Sequence, residues 1–129
     1  MGCLLNEARR QRGLRALRRS SLLDRAAQMR AAAIRRCNDF SHTPCGRSFS
    51  SVYNAAGYSV ATHNVAENLA WGTGSLATAG ATLRSWLTSP EHRQNMLGGW
   101  RKFGVAVVTV PRLSGAQNVT LWVAEFGEP

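Results

Sequence analysis

Phe103-Gly-Val-Ala-Val-Val-Thr-Val110 and Val119-Thr-Leu-Trp-Val-Ala-Glu-Phe126 stand near the end of a 129-residue chain and are rich in branched and aromatic side chains. Such side chains suit a pleated surface, so each run reads as a strand. The stretch between them, Pro111-Arg-Leu-Ser-Gly-Ala-Gln117, is polar and carries turn residues, which predicts an antiparallel pair with a long connection. Upstream the apolar period changes to that of helices. Leu4, Leu5 and Ala8 predict a helix over 3–12 that Gly13 closes. Ser21 stands three residues before Asp24 in capping-box order, and Leu22, Ala26, Met29 and Ala33 continue one helical face to an end at Asn38-Asp39. Residues 39–46 read as a loop. Phe49, Val52, Tyr53 and Ala56 have helical spacing, with Gly57 as the stop. Asn64 to Trp71 reads as a short strand. Thr78 opens a helix that buries Leu83, Trp86 and Leu87, and Ser89-Pro90 starts another that runs to Leu97 before Gly98-Gly99. Helices first and strands last predict an α+β class, with helices packed on a small antiparallel sheet in one domain over 1–129.

Composition removes several function classes. No unbroken apolar run is longer than that of Val105–Val108, far short of the roughly 20 residues that a transmembrane helix needs. The N-terminus MGCLLNEARRQRG has no apolar core of a signal peptide, so a cytosolic chain or a start downstream of a leader is expected. Sixteen basic residues face seven acidic ones, for a formal charge of +9, and eleven of the sixteen lie before residue 48. Fifteen of the sixteen are Arg, beside eighteen Ala, a pairing typical of GC-rich coding. No aromatics interleave the arginines to stack on bases, so a solvated basic face is expected rather than a specific nucleic-acid surface. Gly72-Thr-Gly74 lacks the context of a phosphate loop, and Asn118-Val-Thr120 matches a glycosylation sequon at the start of a strand; neither is given weight.

Two histidines and one acid stand out as carriers of chemistry. His42 lies between Cys37 and Cys45. His92 sits in the first turn of the Pro90 helix, where the positive end of the helix favours a neutral imidazole able to act as base or ligand. Glu67 interrupts the apolar stretch Val65–Trp71, where a buried carboxylate would need a partner; an exposed glutamate on a strand edge is the plainer account. Glu91 reads simply as a first-turn acid.

Taken in order, Phe40-Ser-His42, Ala66-Glu-Asn-Leu-Ala70, Trp86-Leu-Thr-Ser-Pro-Glu-His-Arg-Gln-Asn-Met-Leu97, Gly104-Val-Ala-Val and Thr120-Leu-Trp-Val-Ala-Glu-Phe126 form a pattern. It resembles the bacterial, SCP-like branch of the superfamily of cysteine-rich secretory, antigen 5 and pathogenesis-related (CAP) proteins. The resemblance implies a three-layer α-β-α sandwich with the small antiparallel sheet between helices. It implies a cleft lined by two His and two acids, for which His42, His92 and Glu67 are the matching residues. The second acid of eukaryotic relatives falls three residues after a Trp, and here Ser89 stands at that spacing from Trp86. The remaining two-His-one-carboxylate set could hold a divalent metal, zinc or similar, with Asn68, Ser89 and Asn95 in support. Cys37 and Cys45 are the implied disulfide, if one forms, leaving Cys3 odd; three reduced thiols are the alternative.

The leading expectation is a secreted-type binding module, monomeric, whose cleft takes a metal or a small ligand such as a lipid or glycan. The first alternative is a hydrolase in which His42 or His92 is a general base or a metal-bound water attacks, with His42, Glu67 and His92 catalytic. The second is a basic binder of nucleic acid or cell-wall polymer.

Overall fold

The two C-terminal strands, β3 (Lys102–Leu113) and β4 (Ala116–Gly127), pair antiparallel along their whole length, from Lys102 opposite Gly127 to Leu113 opposite Ala116. A computed structural model describes residues 1–128 of the chain. The polar stretch expected to be a long connection is mostly strand, and only Ser114-Gly115 turns. Both turn residues have positive φ, 51° and 82°, the geometry of a tight hairpin whose twist matches its strands. Pro111 is exposed on β3 beyond its short pairing with β1 (Arg18–Arg19), where a strand proline is tolerated.

Alternation along β4 sorts its side chains onto two faces. Trp122, Ala124 and Phe126 pack on one side with Leu5, Leu83, Trp86 and Met96. These come from α1 (Gly2–Arg10), α4 (Ala79–Thr88) and α5 (Pro90–Leu97). Val119, Leu121 and Val123 pack on the other side with Ala27, Ala31 and Ile34 of α2 (Ser21–Cys37). Leu23 and Ala26 of α2 join Val52, Tyr53 and Ala56 of α3 (Ser51–Ala56) in a third cluster. A strand covered on both faces has no polar side to show, which explains the unbroken apolar run at Leu121–Ala124. The result is a sheet between two helical layers.

The strand order is β1-β3-β4-β2, with β2 (Val65–Gly72) antiparallel to β4 and β1 parallel to β3. The sheet is therefore mixed, its antiparallel part flanked by a two-residue parallel strand that the sequence pattern does not announce. Two consecutive arginines carry no strand signal; what holds them is backbone pairing, Arg18 N–H to the Arg101 carbonyl and Ser20 N–H to that of Phe103. Among the described residues, no helix is long and apolar enough to cross a membrane.

The start of α2 differs by one residue from the capping box expected at Ser21. Ser20 is the N-cap, and its hydroxyl accepts from Leu23 N–H at 3.3 Å. Asp24 is thereby free to accept from Val105 N–H at 2.9 Å and from Arg19 Nε at 2.6 Å, pinning the first turn of α2 to β3. The contact is close enough to require a glycine. A Cβ on Gly104 would stand 2.1 Å from the carbonyl carbon of Leu23 and 2.2 Å from the amide nitrogen of Asp24, both backbone. Gly104→Ala is expected to push α2 off the sheet at a cost of about 1–3 kcal/mol or more. Gly99→Ala, where a Cβ meets nothing within 4 Å, is the control. Thermal denaturation should show a lower Tm for the first only, and equal Tm values would refute the close approach.

Candidate functional site

Register sets the problem that the site solves. Pairing of β2 with β4 puts Glu67 directly opposite Glu125, and both are buried, 4% and 0% exposed. Like charges facing each other across a ladder repel, and burial denies them water. Arg30 resolves half of this. It lies on the apolar face of α2, 1% exposed, and its Nε donates to Glu67 Oε2 at 2.6 Å. Its Nη2 donates to the Phe49 carbonyl at 2.6 Å, and its guanidinium carbon lies 5.3 Å from the centre of the Phe49 ring.

A proton resolves the other half. Burial first, and then the Glu67 charge beside it, push the Glu125 carboxyl well above the ordinary carboxylate range. Tyr53 donates to Glu125 Oε2. Oε1 of Glu125 is buried and has no other hydrogen-bond partner, as fits a carboxyl that holds a proton beside Glu67. For Glu67 burial acts the same way, but it is outweighed. Hydrogen bonds from His42 and Glu125, with the charge and hydrogen bond of Arg30, hold its carboxyl below the usual value. Burial also raises the Tyr53 phenol, which stays a donor at all ordinary pH.

From this buried cluster one group reaches the surface. His42 places Nδ1 2.6 Å from Glu67 Oε1 while its side chain remains 54% exposed. The ring stands edge-on to Phe49, with centroids 6.1 Å apart. Its loop is tightly held. Asn38 ends α2 in the left-handed conformation, Cys37 is disulfide-bonded to Cys45, and a single 3₁₀ turn at Pro44–Gly46 follows. Cys3 is free and exposed.

His92 is placed differently. The Ser89 hydroxyl, which Ser89's position as N-cap would direct to a backbone N–H, instead pairs with His92 Nδ1 at 2.8 Å. Asn68 donates to the His92 carbonyl at 3.0 Å, and Asn95 donates to Asn68 Oδ1 at 2.9 Å and to the Glu67 carbonyl at 3.3 Å. These amides fasten α5 to β2. The His92 imidazole is held toward the neutral form, as expected, but by burial and the neighbouring His42; Glu91 opposes the shift. His63 pairs with Glu128.

The open cleft here is about 340 Å³ and is lined by His42, Phe49, Ala66, Glu67 and Asn95. His42 and Glu67 are joined directly, whereas His92 connects through Asn68 and Asn95. Among the described residues, no three His, Cys, Asp or Glu side chains are placed to hold a metal ion together. The donor set does not fit a divalent cation in this arrangement. Both Glu67 oxygens are engaged, and a cation beside them would meet the Arg30 guanidinium.

The sandwich has counterparts in known proteins. The model of the cysteine-rich secretory protein family (CAP) matches residues 4–126. The chain belongs to this family. Three solved structures have the same fold as this CAP domain. An outer surface protein from Borrelia burgdorferi has a TM-score of 0.78 at 21% identity, over 98% of this chain and 87% of that one. An extracellular SCP-domain protein from Bacillus anthracis has a TM-score of 0.79 at 20% identity over 99% of this chain, which spans 39% of that one. A cysteine-rich secretory protein from Staphylococcus aureus has a TM-score of 0.73 at 18% identity over 98% of this chain, spanning 36% of that one. No curated protein matches the chain significantly.

Arg30, Tyr53, Phe49 and Glu125 were not among the site candidates named from sequence. A signal existed for two of them. Arg30 occupies the buried stripe of α2 between Ala26 and Ile34, and Glu125 interrupts an apolar run just as Glu67 does.

Two outcomes test this electrostatic arrangement. Arg30→Met leaves Glu67 buried without its cation, held only by His42 and Glu125, and is expected to cost about 3–5 kcal/mol. Adding Glu67→Gln should recover much of that loss in urea denaturation, and strict additivity of the two changes would refute the pairing. Glu125 gives the pH dependence. Its folded pKa lies above the unfolded value of 4.5, so its stabilisation is complete below that pH and declines as pH rises toward the folded pKa. Glu125→Gln keeps the donor and the acceptor without the titration. Between pH 5 and 8 the stability of the wild type should fall relative to this variant, by up to about 1.4 kcal/mol per pH unit. A constant difference would mean that Glu125 is ionised in the fold.

Proposed function

We propose that this CAP domain is a binding module that takes a small amphiphilic organic ligand, such as part of a glycan or lipid, in the His42 cleft. The observation that carries the reading is an exposed imidazole fixed by a buried carboxylate, itself fixed by a buried arginine. With Nδ1 engaged by Glu67, Nε2 of His42 is the group left to meet a ligand hydroxyl or amide. Phe49 and Ala66 offer apolar surface to the cleft, and Asn95 adds a polar side chain to its lining. The Cys37–Cys45 disulfide supports work outside the cytoplasm, as do the extracellular and outer-surface proteins of the same fold.

The same His–Glu pair favours one alternative, a hydrolase. A carboxylate that orients an imidazole makes it a competent general base, with Nε2 positioned to take a proton from an attacking water.

One NMR experiment tests both. Chitotetraose, as glycan probe, and dihexanoylphosphatidylcholine, as lipid probe, are titrated into labelled protein. At least one should shift resonances of His42, Phe49, Ala66 and Asn95, and His42→Gln should abolish the effect while leaving the fold intact. Probe signals unchanged over hours support binding alone; product signals that His42→Gln removes establish the hydrolase. No shift at the cleft with either probe, together with a Tm raised by Zn²⁺ through these residues, would overturn the organic-ligand reading.

A further inference from the structure

The cleft is not the best-enclosed hollow in this molecule. A cavity of about 220 Å³ lies between α2, α3 and the disulfide loop, and it shares no lining residue with the cleft. Met29 and Ala33 of α2, Pro44 of the loop and Val52 of α3 form an apolar wall. Two arginines from different elements join them, Arg36 on the last turn of α2 and Arg47 just after the 3₁₀ turn. Neither forms an ion pair among the described residues, and both are exposed. Among the described residues the Arg36 guanidinium has one hydrogen bond, a weak one at 3.7 Å to the Cys45 sulfur. The buried Arg30 also lines this cavity, but its charge is met by Glu67 and its Nη2 by the Phe49 carbonyl, so Arg36 and Arg47 are the cations open to a ligand.

An apolar hollow with unneutralised guanidinium groups at its rim is complementary to one kind of small molecule. We propose that this cavity is a second binding site, for a compact organic carboxylate: an apolar body against Met29, Pro44 and Val52, and a carboxylate held by Arg36 and Arg47. Planar guanidinium groups match a carboxylate in geometry and in charge, and partial enclosure strengthens such contacts over those in open water. The wall supplies the burial that distinguishes such a ligand from a simple inorganic anion. The site is independent of the His42 cleft in every lining residue, so the two proposals stand or fall separately.

The experiment uses the full chain with its disulfide intact and benzoate as the probe, followed by protein-observed NMR. Benzamide supplies the same body without charge, and acetate the charge without the body. Benzoate should shift the resonances of Met29, Ala33 and Val52, with an affinity at least tenfold above either control. Arg36→Gln and Arg47→Gln should each weaken it roughly tenfold, as expected for loss of a charged hydrogen bond. Ala55 lines the cavity at an exposed position, and Ala55→Trp should block it. Equal affinity for benzoate and benzamide, shifts confined to other arginine-rich surfaces, or undiminished binding by Ala55→Trp would each overturn the proposal. Should that variant fail to fold, the three-probe comparison on the wild type still decides.

Discussion

A carboxylate cut off from water must find a cation, a proton or several hydrogen bonds, and Glu67 draws on all three sources. Arg30 supplies the cation, Glu125 the proton and His42 a further bond, and each comes from a different part of the chain. The geometry of the site follows. Arg30 ties α2 to β2, Glu125 ties β2 to β4, and His42 is drawn down from its loop onto the sheet. Without Arg30, two facing glutamates in the interior would both have to be protonated or the strands would have to part.

Such a cluster is a poor way to gain stability. Replacing a buried ion pair by well-packed apolar groups is often neutral or stabilising, because desolvation takes back most of the attraction. Stability in this fold comes instead from the apolar clusters on the two faces of the sheet, where Trp86, Phe126, Leu121 and Ile34 are essentially sealed from water. The polar cluster orders the one side chain that leaves it. An exposed histidine on a loop normally samples several rotamers; His42 is held at one nitrogen by an acceptor that cannot move. That is a positioning device, and it gives the cleft a fixed hydrogen-bonding group at low entropic cost.

Most of the fold was legible because burial leaves a periodic trace. The branched and aromatic run of β4, the stripe of α2 and the Ser89-Pro90 start of α5 all correspond to elements close to those expected. The misses have physical causes. Arg18 and Arg19 form a strand because β3 offers them backbone partners, a tertiary effect that no local propensity encodes. The hairpin turn was hidden because Pro111 and the polar residues after it sit on an exposed edge, where strands need not be apolar. The site was half legible. Glu67 and His42 were visible as residues out of keeping with their surroundings. Arg30 was masked by its company: among fifteen arginines, one on the wrong side of its helix looks like the others unless its position in the stripe is weighed. Glu125 was passed over although it breaks its run as plainly as Glu67 does, and only the register shows that the two face each other.

The loop after α2 serves two hollows at once. His42 faces the cleft, while Pro44 and Arg47 help to wall the separate cavity behind it. For occupancy of one to alter the other, the loop would need two arrangements of similar energy that the ligands favour differently. Its construction opposes that. The left-handed Asn38, the Cys37–Cys45 link and the bond from His42 to an immobile Glu67 all constrain the same short segment, and Cys45 and Gly46 adopt positive φ within it. A segment fixed at both ends and in its middle has little freedom to take a second shape. The loop therefore gives the two hollows little means of influencing each other, and the link that remains is Arg30, which lines the cavity while bonding Glu67 and the Phe49 carbonyl of the cleft.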